Sequence, residues 1–131
     1  MALTAPRNTT ERNGGRRHAF AIAAAVTIYP GSLVAVNAAG DLVPGSTATT
    51  LTAVGRAETG GTALVDGTAT AVQGTFKWKN SAAGDLITKA DWGKAVYIVD
   101  DETVAKTNGT TTRSVAGICR GVDADGVWVE T

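Results

Sequence analysis

The chain has 131 residues, room for one small core and no second independent one, and its 12 Lys and Arg balance its 12 Asp and Glu. Ala (23), Thr (20), Gly (16) and Val (14) far outnumber Leu and Ile, which total 11, and this disfavours a helix bundle and suits short strands joined by glycine turns. The balanced charge excludes the basic field that draws a domain to nucleic acid, and a lone cysteine, Cys119, excludes an internal disulfide and fits a reducing compartment.

Taken from the N-terminus, residues 1–17 lack hydrophobic periodicity and contain Pro6, Gly14 and Gly15, which reads as an extended arm or, in isolation, a disordered tail. Its Arg7, Arg12, Arg16 and Arg17 face Glu11 alone, so a basic arm precedes an acidic body, and the division falls as an arm over residues 1–18 and a β domain over 19–131. The longest apolar run, Ala19 to Val26, is too short to span a bilayer and lacks the flanks of a signal peptide, so nothing predicts a membrane partner or export. Strands are predicted at 20–29, 33–37, 52–57, 70–79, 95–99, 103–106, 114–120 and 127–130, punctuated by Gly40-Asp41, Pro44-Gly45, Gly60-Gly61, Asp66-Gly67, Asn108-Gly109 and Asp125-Gly126. Over 21–26 the alanines also fit one helical turn. The fold class is all-β, a small compact β-barrel or sandwich behind an extended arm.

A weak repeat runs through these strands at a constant offset of 62 residues. Gly31, Val34 and Val36 fall on Gly93, Val96 and Ile98; Leu42 falls on Val104, Thr50 on Thr112, and Ala53-Val54-Gly55 on Val115-Ala116-Gly117. Either this is chance matching within an Ala/Gly/Thr/Val-rich chain, or two similar β units pack together to bury what neither buries alone; the sustained register favours duplication.

Catalytic chemistry is sparsely represented. His18, the sole histidine, follows Arg17 with no orienting partner in view and reads as a polar contact. Cys119 lies among small apolar neighbours beside Arg120 and reads as a buried thiol. Asp100-Asp101-Glu102 and Asp123-Ala124-Asp125-Gly126 read as hairpin turns, since the second lacks the remaining ligands of a calcium loop. Residues 55–61 lack the Gly-Lys-Ser/Thr ending of a phosphate loop, and no cofactor or metal is expected. Phe76-Lys77-Trp78-Lys79 fits a half-buried strand with aromatics inward better than a base-stacking surface, while Trp92 and Trp128 read as core or interface anchors.

From Arg17 onward the sequence resembles the small capsid decoration, or cement, proteins of tailed bacteriophages and prophages. The resemblance rests on Ala19-Phe20-Ala21-Ile22, on Ile28-Tyr29-Pro30-Gly31-Ser32-Leu33-Val34-Ala35, and on Leu42-Val43-Pro44-Gly45-Ser46. It continues through Ala53-Val54-Gly55-Arg56-Ala57, Gly74-Thr75-Phe76-Lys77-Trp78, Val96-Tyr97-Ile98-Val99-Asp100-Asp101, Thr103-Val104-Ala105 and the ending Gly121 to Glu130. It implies a non-enzymatic β domain, made in the bacterial cytoplasm, that sits on the outer surface of the virion head. There it binds the major capsid protein, often as a homotrimer, and reinforces capsomer contacts. Charge and position then nominate Arg7, Arg12, Arg16 and Arg17, with Phe20 as an apolar anchor, for the capsid or subunit interface. The alternative is a virion-surface receptor- or carbohydrate-binding module with Trp92, Trp128 and Tyr97 as its stacking platform. A small hydrolase or nucleotide-binding enzyme ranks third.

Overall fold

The computed structural model describes residues 2, 4–8 and 15–131. Among these it forms twelve strands: β1 Arg17–Ala21, β2 Thr27–Ile28, β3 Leu33–Val36, β4 Leu42–Pro44, β5 Thr52–Ala57, β6 Gly61–Thr62, β7 Thr68–Val72, β8 Thr75–Trp78, β9 Ala95–Ile98, β10 Val104–Ala105, β11 Val115–Asp123 and β12 Gly126–Glu130. Two short 3-10 turns, Ala83–Asp85 and Lys89–Asp91, are the only helical pieces among the described residues. The fold is all-β, as the composition predicts.

One antiparallel sheet has the order β1-β7-β5-β3-β4 and the other the order β8-β12-β11-β9-β10, while β2 and β6 pair separately. Each sheet curls toward closure. A parallel bridge from Ile22 to Leu42 brings the end of β1 onto β4, and one from Lys79 to Thr103 brings the end of β8 onto β10. The two sheets have the same strand order, so the 62-residue repeat is a true structural duplication. Matching hydrogen bonds make this concrete. Gly31 donates to the Ala57 carbonyl as Gly93 does to that of Cys119, both at 2.8 Å, and Ala57 donates to Ser32 as Cys119 does to Lys94, both at 2.9 Å. The outer strands match as well, but at an offset of 58: Gln73 donates to Arg16 as Thr131 does to Gly74.

The duplication extends to the interior. Val34, Leu42, Val54, Ala57, Ala69 and Ala71 form the first unit's core with Ile22 and Ile28, and their counterparts Val96, Val104, Ala116, Cys119, Val127 and Val129 sit in the second unit's core with Trp78 and Ile87. The single core predicted from chain length is therefore two clusters, and they are not independent: Leu33 and Ala35 of β3 point away from their own sheet's core and into the second. This explains why β3 reads Leu-Val-Ala-Val without polar alternation, since a strand covered on both faces must be apolar at every position.

Several boundaries differ from expectation for local reasons. The predicted strand over 20–29 is neither continuous nor helical; β1 ends at Ala21, Ile22 and Ala23 are drawn onto Leu42, and the chain turns at Ala24-Ala25, with Ala25 at φ 62°. Tertiary pairing overrides alanine's helix preference there. The strand predicted over 70–79 breaks at Gln73-Gly74, where one unit ends and the next begins. β4 carries Pro44 and escapes a strand reading on that account, yet it lies at a sheet edge, where proline's missing N–H costs no ladder bond. Both acidic clusters are hairpin turns as expected: Asp100 Oδ1 accepts the Glu102 N–H at 2.9 Å and Asp123 Oδ1 the Asp125 N–H at 2.8 Å.

Candidate interaction surface

The root of the N-terminal arm is fixed to the body. Arg16 Nε donates to the Gln73 carbonyl at 3.1 Å, and Arg17 grips Glu58 with two nitrogens, Nε to Oε2 at 2.9 Å and NH2 to Oε1 at 3.0 Å. The Arg17 hydrogen bonds hold the Glu58 carboxyl below the ordinary carboxylate range. His18 Nε2 lies 3.0 Å from Gln73 Oε1, which gives the imidazole the partner that sequence alone did not reveal. Because β1 opens at Arg17, both Arg17 and His18 belong to the sheet and not to the arm as predicted. Phe20, expected as an anchor for a partner, packs half-buried against the first core. Of the arm cations, Arg7 is exposed, Arg12 lies outside the described residues, and Arg16 and Arg17 are held against the body.

The outer face of the second sheet carries a second cluster. Trp92 is 61 % exposed and Trp128 40 %, which overturns the core reading for both and leaves the interface reading. Each ring has a cation over it: the Arg120 guanidinium 4.9 Å from the Trp92 centroid and the Lys77 ammonium 5.1 Å from that of Trp128. Lys77 in turn pairs with Asp123 at 2.9 Å, and Arg120 with Glu130 at 3.1 Å. Tyr97 is half-buried on β9. Trp78 is the inward aromatic of β8, with Phe76 partly buried against the same core and Lys77 outward, as the alternation predicts.

Trp92 owes its position to the preceding 3-10 turn. Thr88 and Asp91 form a reciprocal cap in which Asp91 Oδ2 accepts the Thr88 N–H at 2.8 Å, with Lys94 and Lys106 near its other oxygen. The Thr88 N–H, aided by the two lysines, lowers the carboxyl's pKa although burial opposes it. A carboxylate lowered on folding stabilises the fold above its unfolded pKa and loses that contribution as pH falls through its folded value. Asp91→Ala should therefore lose about 0.5–2 kcal/mol at neutral pH by removing the acceptor that caps the Thr88 N–H, and urea titrations should show the gap to wild type shrinking below roughly pH 4.

Cys119 is fully buried in the second core, as expected of an inert thiol. Among the described residues no group of three His, Cys, Asp or Glu stands close enough to hold a metal ion, and no helix is long and apolar enough to cross a membrane. An open groove of about 660 Å³ lies between β5 and β11, bounded by Thr52, Ala53, Val115, Gly117 and Thr131, with Arg113 and Glu130 also on its walls. No family model, curated protein or solved structure matches the chain.

Proposed function

We propose that this protein is a decoration, or cement, protein of a bacteriophage head: a non-enzymatic, homo-oligomeric β domain, a trimer in the simplest case, that binds the major capsid protein on the outer surface of the virion and reinforces capsomer contacts. The observation that carries this reading is an arm clamped at its root by Arg16 and Arg17 and exposed at residues 4–8, including Arg7. Such a segment orders on a partner's surface by strand addition and arginine contacts, and many identical copies supply avidity. The family resemblance from Arg17 onward adds to it. The exposed tryptophans suit a subunit or capsid contact better than a sugar platform, because Arg120 and Lys77 already occupy a face of each ring.

Heads lacking the protein, taken from the phage that encodes it, test the reading. The full chain should saturate them at a copy number commensurate with the capsid protein, and a variant lacking residues 1–14 should keep the wild-type melting curve while its affinity for heads falls about tenfold or more. The truncation spares Arg16 and Arg17 because they anchor β1. Failure of the full chain to bind removes the cement reading, and undiminished occupancy by the truncated protein removes the arm from it.

A further inference from the structure

The first unit carries something its twin lacks. Between Ala57 and Thr68 it spends ten residues, 58–67, where the second unit spends six, 120–125, between Cys119 and Gly126. In the twin, β11 runs directly into β12 through a polar Asp-Ala-Asp-Gly turn. The first unit's longer connection forms β6 and a tip on which Leu64 is fully exposed and Val65 is 85 % exposed. The twin folds without such a tip, so folding does not require this display of apolar surface.

The tip is rigid. Thr62 donates its N–H to Asp66 Oδ2 at 3.0 Å, and the N–H groups of Asp66 and Gly67 return to the Thr62 carbonyl at 2.9 and 3.1 Å. Pairing of Thr27 with Thr62 fixes it beside the Ala24-Ala25 turn. Between the tip and that turn lies a cleft of about 490 Å³ whose walls include Ala24, Ala25, Val26 and Ala63 beside Leu64 and Val65, and no charged residue lines it. The adjoining Asp66 carboxylate accepts the Thr62 N–H. A projecting leucine thus stands at the rim of an uncharged hollow walled by alanines.

We infer that the Leu64–Val65 tip and the adjoining Ala24–Val26 cleft form the contact between copies of this chain, each copy's Leu64 entering the next copy's cleft. Two features select a second copy as occupant. Knob and hole lie on one patch, so a rotation axis satisfies both with a single surface, whereas another partner must supply both complements. The residues that line tip and cleft are all uncharged, so two identical surfaces meet without burying a charge. Its hydrogen-bonded turns are ordered beforehand, which lowers the entropy lost on association. The inference rests on the homo-oligomeric part of the proposed function and names the surface responsible.

Light scattering on size-fractionated protein, paired with head-binding occupancy, tests it. Wild type should have a mass of two or more times 13.3 kDa. Leu64→Glu on the knob and Ala24→Glu at the hole should each fall to 13.3 kDa while keeping the wild-type far-ultraviolet circular dichroism spectrum. Retention of the wild-type mass by both variants overturns the inference. A monomeric wild type also overturns it, and if Leu64→Glu then loses head binding the tip docks on the shell instead. Binding of wild type to heads in either case leaves the cement reading standing, so the two failures are distinguishable.

Discussion

Alanine in place of Gly55 or Gly117 should destabilise the protein by about 3–5 kcal/mol each, a large part of the roughly 5–15 kcal/mol that holds a typical domain folded. The two glycines occupy the same place in the two units. In the first, the register passes from Val34 opposite Gly55 to Ala35 opposite Ala53, leaving Val54 as the extra residue of a bulge; in the second it passes from Val96 opposite Gly117 to Tyr97 opposite Val115, leaving Ala116. Each bulge sends its extra residue into a core, where Val54 and Ala116 are buried. Both glycines have positive φ, 138° and 158°, and a Cβ would overlap the carbonyl oxygen of Val72 in one unit and of Glu130 in the other. Strain and collision therefore add. Gly31 and Gly93 provide the internal control, for they too are twins with positive φ, 89° and 81°, but an added Cβ meets nothing within 4 Å, so Ala there should cost only about 1–2 kcal/mol. Urea midpoints of the four variants should separate into two pairs by environment, not by unit. Equal losses across all four would mean that backbone strain alone governs these sites.

The same bulges show why the duplication was partly legible. The strands that carry a constant offset, β3 to β5 and β9 to β11, hold glycine and β-branched residues at sites where sterics leave few choices, so the repeat persisted there. The outer strands β1, β7, β8 and β12 are duplicated too, but the four-residue difference in the connections shifts their offset to 58, and they share little residue identity. A one-sided surface strand needs only an apolar residue at alternate positions, and Ala71 and Val129 meet that need equally. The unpredicted strands β4 and β6, of three and two residues, are too short to display any period.

The interaction surface was less legible, because exposure is a property of the assembled fold and not of residue type. Arg17 looked free in sequence because its partner, Glu58, is 41 positions away, and the His18 partner Gln73 is 55 away. Trp92 and Trp128 read as core or interface anchors in a chain of small side chains, and of the three tryptophans only Trp78 takes an interior position, while the other two are exposed with a cation over each ring. Leu64 and Val65 sit between Gly60-Gly61 and Asp66-Gly67 and read as an ordinary loop. Only comparison with the shorter turn of the second unit marks them as an addition.

Leu33→Ala should cost about 2–5 kcal/mol and lower the stability of both units together. Leu33 is wholly buried, lies in the first sheet and packs in the second core, while its N–H donates to the Asp101 carbonyl and its carbonyl accepts the Gly45 N–H, both at 2.8 Å. It is thus a side-chain and backbone tie between the units. Ala35 reaches the same core, and Val43, Leu51 and Ala53 pack against it from the first unit, so truncating Leu33 weakens the junction without severing it. The tryptophans make this measurable, since Trp78, Trp92 and Trp128 all belong to the second unit and their fluorescence reports on it alone, whereas far-ultraviolet circular dichroism reports on both. In wild type and in Leu33→Ala the two signals should trace one denaturation curve, shifted to lower urea in the variant. Earlier loss of fluorescence than of dichroism in wild type would mean two separately stable units, and the shared core at β3 would then be a contact between domains instead of the centre of one fold.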